Sequence, residues 1–158
     1  MKQYCYYKAP IGRLLLIGED GVLEELHFPN SAEHALIKDD WICNEDSFSD
    51  ILQQLGEYFA GRRKNFDVKI NPTGTDFQRR VWQELQNVPY GKTASYGEIA
   101  QRINNPKACR AVGGANRKNP VPIIVPCHRI IGSDGSLTGF GGGLELKKDL
   151  LRLENIVF

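Results

Sequence analysis

The sequence predicts two unlike units in succession: an α/β unit over residues 1–72, then a mainly α unit carrying a helix-turn-helix over residues 73–158. Three observations predict this. Strand-like runs joined by a tight turn fill the first half, and capped helices at 3.6-residue spacing fill the second. The charge changes sign between them, since residues 1–72 hold 8 Lys/Arg against 12 Asp/Glu and residues 73–158 hold 12 against 7. The third is "NPTGT" at 71–75, whose Pro/Gly composition is that of a linker. A chain of 158 residues, 41% hydrophobic and 25% charged, has the length and composition for this.

In the first unit, "IGRLLLIG" and "VLEELHF" read as two strands joined through Asp20-Gly21, a dipeptide suited to a hairpin turn. Ser49 is placed to cap a helix in which Ile51, Leu52, Leu55, Tyr58 and Phe59 recur at helical spacing, ending near Gly61. "NFDVKI" then reads as another strand. In the second unit, Thr75 and Gln78 form a capping box for a helix with Phe77, Val81, Trp82, Leu85 and Val88 on its apolar stripe, and "PYG" at 89–91 stops it. Ser95 and Glu98 form a second box, opening a short helix with Ile99, Ala100 and Ile103 inward. Asn104-Asn105-Pro106 breaks the chain before the helical "KACRAVGGANRK", which gives the helix-turn-helix pattern. Leu144, Leu150, Leu151 and Leu153 mark a last helix after "TGFGGG".

Several function classes drop out. No stretch of eighteen uninterrupted apolar residues suits a membrane span, the N-terminus has no signal-peptide core, and a cytosolic protein, or a nuclear one in a eukaryote, is expected. Cys5, Cys43, Cys109 and Cys127 are too dispersed for a disulfide framework or a zinc cluster, so free thiols are expected. "GFGGG" lacks the following G-K-[ST] and the spacing of a dinucleotide loop, so no nucleotide cofactor is expected.

From Ile99 to Ser133 there is no acidic residue, while Arg102, Lys107, Arg110, Arg117, Lys118 and Arg129 supply six positive charges. Such a window is either a solvated basic face or the footprint of a phosphate backbone. Within it, Ala108, Ala111, Gly113, Gly114 and Ala115 make one helix small, although a mid-helix Gly costs about 0.5–1 kcal/mol relative to Ala. The small residues serve either tight packing on a neighbouring helix or close approach to a flat, bulky partner. Arg110 is the one long cation in that segment.

"NPVPIIVPCHRIIG" then sets Cys127 in a stiff frame, with Pro120, Pro122 and Pro126 restricting the backbone before it. A thiol acts as a nucleophile only when ionised, and an unperturbed Cys is a few per cent thiolate at neutral pH. In an extended segment Cys127 and His128 would face opposite sides, so a relay through water to His128, oriented by a carboxylate, fits better than a direct ion pair. Taken alone, a Cys beside proline is more often inert than catalytic.

At this point "SYGEIA", "NPKACRAVGGANRKNPVPIIVPCHRIIG" and "LTGFGGGLELKKDLLRLE" matter together, because in order and spacing they resemble the methylated-DNA-protein-cysteine methyltransferases, or O6-alkylguanine-DNA alkyltransferases. The resemblance runs from Phe77 to Glu154, about half the chain. It implies that residues 73–158 are the DNA-binding and catalytic domain and that residues 1–72 are a ribonuclease H-like domain. It further implies stoichiometric DNA repair: an alkyl group passes from guanine O6, with thymine O4 as a further candidate, to the protein's own cysteine.

By the same resemblance, Cys127 is the acceptor; His128 and Glu154 draw off its proton through a water; Asn119 braces the turn; and Tyr96 donates to guanine N3. Arg110 enters the stack where the base is extruded, while Ala111, Gly113 and Gly114 lie in the minor groove. Pro122, Ile130, Phe140 and Gly141 belong to the base pocket or its DNA-facing surround. The implied partner is double-stranded DNA containing O6-alkylguanine, bound by a monomer, with cooperative binding left open and no cofactor.

Phe140 stands where many members have Tyr, and Gly141 where some have Ser, so a smaller pocket wall and a wider range of O6-alkyl groups are expected. Some members hold a structural zinc in the first domain; here Cys5 and His27 are accompanied by Glu19 and Glu24, and no metal is expected. Cys109 is expected to pack within its helix, and His34 and Cys43 have no evident role. The alternatives are an alkyltransferase-like protein that binds lesions without transfer, a DNA-binding regulator using Cys127 as a redox sensor, and a cysteine hydrolase, for which no oxyanion-hole pattern is visible.

Overall fold

Asp20 and Gly21 take φ values of 53° and 79°, and this left-handed pair reverses the chain between two strands in the hairpin the sequence predicts. A computed structural model of the chain describes residues 1–29, 37–138 and 140–158, so His34 lies outside the described residues. It divides into two units, Met1–Pro72 and Thr73–Phe158.

The first unit holds a four-stranded sheet built from β1 (Gln3–Ala9), β2 (Gly12–Glu19), β3 (Val22–His27) and β4 (Ile42–Cys43), in the order β3-β2-β1-β4. β2 pairs antiparallel with β1 and β3, while β4 pairs parallel with β1. Leu14, Leu15, Leu16 and Ile17 of β2 are all buried, the continuous apolar run of a central strand covered on both faces. A register shift falls between Ile17 and Gly18, and a Cβ on Gly18 would collide with the Val22 carbonyl oxygen, so the bulge requires glycine. β1 escapes the sequence pattern because its tyrosines, half-exposed, blur the alternation around buried Cys5 and Ala9.

Helix α1 (Ser49–Phe59) buries Ile51, Leu55 and Tyr58. Its start corrects the expected Ser49 cap: Ser49 is the first helical residue, preceded by a 3-10 turn over Glu45–Phe48 whose Asn44 side chain accepts from the Asp46 N–H. "NFDVKI" is likewise no strand, pairing only as a single bridge between Ile70 and Leu23. The reason is a side chain that takes the place of a ladder: buried Gln54 donates to the Asp67 carbonyl at 2.9 Å and accepts from its N–H at 2.8 Å.

In the second unit, α2 (Asp76–Leu85) has the predicted capping box, with Thr75 Oγ1 accepting from the Gln78 N–H and Gln78 Oε1 from the Thr75 N–H. Val81, Trp82 and Leu85 are buried; the helix ends before Val88, which is buried in the following turn. The Ser95–Glu98 box opens α3 (Tyr96–Arg102), and Asn104, at φ 60°, turns the chain toward α4 (Cys109–Arg117). α4 packs on α2 and α3, and Trp82 Nε1 donates to the Ala115 carbonyl at 2.8 Å.

A two-residue parallel pair, β5 (Ala94–Ser95) with β6 (Ile130–Ile131), links the entry of α3 to the strand after Cys127. α5 (Leu144–Leu153), the last helix the leucines mark, closes the unit with Leu146, Leu150 and Leu151 inward and Leu144 exposed. No helix among the described residues is long and apolar enough to cross a membrane.

Candidate active site

Three prolines and one asparagine shape the turn that carries the thiol. Asn119 Nδ2 donates to the Val125 carbonyl and Asn119 Oδ1 accepts from the Val121 N–H, both at 2.9 Å, so one side chain clamps both arms of the turn. Pro122, buried, bridges to Val125. Between them Ile123 sits at φ 74°, a left-handed conformation that strains a β-branched residue by about 1–3 kcal/mol. The clamp and the burial of Ile123 hold it there.

Cys127 follows in a 3-10 turn over Cys127–Arg129, not the extended segment expected from its β-branched neighbours. The turn forms because the Cys127 N–H bonds back to the Val125 carbonyl at 2.8 Å and the Arg129 N–H to the Pro126 carbonyl at 3.1 Å. Buried Asn116 of α4 donates to the Cys127 carbonyl at 3.3 Å. The thiol keeps 4% exposure. Desolvation pushes its pKa up to about 11, against the opposing pull of an Asn119 hydrogen bond and the positive charge of Lys147.

His128 has no exposed surface, and its Nε2 lies 2.6 Å from Glu154 Oε2. Burial drives the imidazole pKa down, with Glu154 pulling the other way. The bond assigns Nε2 as the protonated nitrogen of a neutral ring, which leaves Nδ1 an acceptor. Nδ1 is buried with no hydrogen-bond partner among the described residues.

Glu154 is held from three further directions. Arg129 donates through Nε at 2.8 Å to Oε1 and through Nη2 at 3.1 Å to Oε2, while the Gly91 N–H reaches Oε1 at 3.2 Å. Arg129 Nη1 also donates to the Val88 carbonyl at 2.7 Å. Arg129 is therefore an interior cation, 6% exposed, which corrects its inclusion among the outward charges of the acid-free window.

The other wall of the site is a loop. Tyr96 Oη donates to the Thr138 carbonyl at 2.8 Å, and Lys147 Nζ reaches the same carbonyl at 3.1 Å and the Ile130 carbonyl at 2.5 Å. Desolvation raises the Tyr96 pKa. Phe140 is buried, while Gly141 is exposed, and a Cβ there would lie 3.1 Å from the Arg117 carbonyl oxygen.

On α4, Arg110 and Ala111 are exposed and Gly113 and Gly114 half-buried. A Cβ on Gly113 would make ordinary contact with the Tyr96 ring at 3.8 Å, and one on Gly114 would meet nothing within 4 Å. Internal packing does not demand these glycines. Cys109, expected to pack, is exposed.

The structure thus gathers Cys127, His128, Glu154, Asn119, Ile130 and Tyr96 around one turn and loop, with Arg110, Ala111 and Gly114 on an outward helix face. Sequence reasoning missed Lys147, Asn116 and the inward role of Arg129. Lys147 had a signal: it falls at a helical spacing shared with buried Leu150, Leu151 and Glu154. Among the described residues no group of three or more His, Cys, Asp or Glu is arranged to hold a metal ion.

Comparison with known proteins follows the same division of the chain. Residues 76–156 match the family model of the 6-O-methylguanine DNA methyltransferase DNA binding domain, and residues 2–72 match that of its ribonuclease-like domain. A methylated-DNA–protein-cysteine methyltransferase of Methanosarcina acetivorans is 50% identical over 151 residues, covering 96% of this chain and 97% of the relative. The crystal structure of the Mycobacterium tuberculosis O6-methylguanine methyltransferase is 48% identical, covers 98% of this chain and 93% of its own, and superposes with a TM-score of 0.90. The M. tuberculosis OGT crystallised in complex with DNA is also 48% identical, with 96% and 92% coverage and a TM-score of 0.90. With both halves matched by the two domain models and the likeness extending along nearly the whole chain, this protein belongs to the 6-O-methylguanine DNA methyltransferase family.

Proposed function

We propose that this protein repairs O6-alkylguanine in duplex DNA by moving the alkyl group onto Cys127 in a single irreversible turnover. The observation that carries the reading is the buried Glu154–His128 pair, 2.6 Å apart, beside a cysteine that is itself almost wholly buried. A thiol this desolvated needs a proton acceptor. The unpartnered His128 Nδ1 supplies one, taking the proton through a water, and Glu154 stabilises the imidazolium that forms.

The step is an in-line displacement at saturated carbon. The C–O6 bond breaks as the C–S bond forms, the sulfur becomes a thioether, and the proton given up by the thiol balances the one the released guanine takes on. Tyr96 meets the charge developing on the leaving base by donating from Oη to N3. That hydroxyl donates to the Thr138 carbonyl, so base entry exchanges one acceptor for another.

The lesion's alkyl carbon is inaccessible inside a stacked duplex, so the nucleotide is flipped out. The exposed α4 face, small at Ala111, Gly113 and Gly114, enters the minor groove, and Arg110 takes the vacated place in the stack. Asn119 and Pro122 fix the turn, while Ile130, Phe140 and Gly141 line or rim the base pocket. A monomer suffices for these roles, since the residues that carry them all lie within Thr73–Phe158.

The deciding experiment is peptide mass spectrometry after incubation with duplex DNA containing O6-methylguanine. A gain of one methyl on the Cys127 peptide is expected, and Cys127→Ala should bind the lesion without removing it. An unmodified Cys127 peptide sinks the proposal.

A further inference from the structure

Two buried side-chain atoms beside the nucleophile have no hydrogen-bond partner among the described residues: Asn116 Oδ1 and His128 Nδ1. A third such atom, Glu24 Oε1, belongs to the other unit and has Lys2 Nζ at 3.3 Å. A buried polar atom left without a partner costs free energy, and an ordered water or a catalytic task is the usual reason it persists.

Asn116 breaks the pattern of its helix. Ala111 of α4 is exposed and Gly114 half-buried, but Asn116 is 1% exposed, and its Nδ2 donates to the Cys127 carbonyl at 3.3 Å. That bond fixes which way the amide faces, because only its NH2 end can meet a carbonyl oxygen. Oδ1 is left as an acceptor beside the peptide that leads to His128, whose Nδ1 is an acceptor too. Two acceptors cannot satisfy each other. A water can satisfy both, giving one hydrogen to each while its oxygen accepts the Cys127 S–H, and three bonds are the usual complement of a buried water.

From this geometry we infer that Asn116 is a positioning residue for alkyl transfer: its Oδ1 holds the water that carries the Cys127 proton to His128 Nδ1. This deepens the repair reading and rests on it.

Its part differs from that of the neighbouring amide. Asn119 bonds the sulfur itself, whereas Asn116 bonds the backbone of the same residue and reaches the thiol through the water. With one hydrogen tied to Oδ1, the water has the other to direct at Nδ1. As the C–S bond forms the S–H bond breaks, the water takes that proton and passes one of its own to Nδ1, and it ends the exchange as water, with Glu154 facing the imidazolium.

The test compares native protein with Asn116→Leu, which keeps the bulk and removes both polar ends. The first readout needs no DNA: the 15N resonance of His128 Nδ1, which lies upfield when that nitrogen accepts a hydrogen bond, should be upfield in native protein and move downfield in the variant. The second is the rate of methyl transfer at saturating lesion duplex, which should fall about ten- to a hundredfold while duplex affinity is unchanged.

An Nδ1 resonance equal in the two proteins, an undiminished rate, or a loss of affinity in step with the rate would reduce Asn116 to a tie between α4 and the turn and overturn the inference. If the leucine variant does not fold, an atomic-resolution crystal structure of native protein decides: a water bonded to both Asn116 Oδ1 and His128 Nδ1 is expected, and its absence overturns the inference. Failure of methyl transfer in native protein whose Nδ1 resonance is upfield sinks the repair reading alone.

Discussion

His128 Nε2 and Glu154 Oε2 lie 2.6 Å apart with neither side chain exposed, and Arg129 closes on the same carboxylate from the other side. The carboxylate thus serves two side-chain partners at once, besides the Gly91 N–H. Glu154→Gln sets an amide against that arrangement and leaves the Arg129 charge buried without its counter-ion. A loss of about 3–5 kcal/mol in stability is expected, read by urea unfolding. In protein that remains folded, single-turnover methyl transfer should fall by about a hundredfold or more.

The buried imidazole also makes stability depend on pH. Its folded pKa lies below the unfolded value near 6.5, so below that pH the unfolded chain binds a proton that the folded protein resists. This contribution to stability is present above about pH 6.5 and is lost as the pH falls, with a slope of at most about 1.4 kcal/mol per pH unit. The difference between urea-unfolding curves of native protein and His128→Gln over pH 5–7 isolates it. Parallel curves would show that His128 titrates alike in the folded and unfolded chain, against this expectation.

Gly114 separates folding from DNA contact. A Cβ there meets nothing, and the residue sits within α4, so Gly114→Ala should raise stability by about 0.5–1 kcal/mol through helix propensity. Gly114→Leu should also fold, but should weaken duplex affinity at least tenfold, because in the proposed docking its side chain projects toward the groove floor. Thermal unfolding and fluorescence anisotropy with a labelled duplex give the two readouts. Undiminished affinity in the leucine variant would remove this face of α4 from the interface.

Arg110 and Lys107 should differ in kind, although both are exposed basic residues of the same window. If Arg110 fills the gap left by the flipped base, Arg110→Ala slows transfer from duplex DNA tenfold or more and leaves transfer from the free methylated base unchanged. Lys107→Ala should do no more than reduce the salt dependence of binding, by about one unit of slope in a log–log plot. Equal losses on duplex and free base for Arg110→Ala would contradict its role.

The parts of the fold legible in the sequence are those fixed by local chemistry. The two capping boxes, the Asp20-Gly21 reversal and the Val81, Trp82 and Leu85 core of the α2 stripe involve partners a few residues apart, and each stands where the residues place it, whereas Val88 falls beyond the helix. Long-range partners decided the rest. "NFDVKI" has strand-like composition, but Gln54 takes the backbone groups of Asp67, and no propensity scale sees a side chain thirteen residues away.

The same division runs through the site. Cys127, His128 and Asn119 belong to one short motif, whereas Arg129 looked like one more outward charge because its counter-ion lies 25 residues on. Lys147 was passed over for a related reason: a lone lysine in a helix is ordinarily solvated, and only its two carbonyl partners give the burial a meaning. The small face of α4 was legible as a pattern, but the choice between internal packing and an external partner needed the empty space beside Gly114.

Ile123 carries one further consequence. Its backbone is left-handed and clasped by the Asn119 amide on either flank, so the sulfur's address is written by contacts inside the turn itself. None of the association energy is then diverted into ordering the nucleophile. For a molecule that spends itself on a single encounter, a loop that had to be assembled afresh each time would offer no advantage.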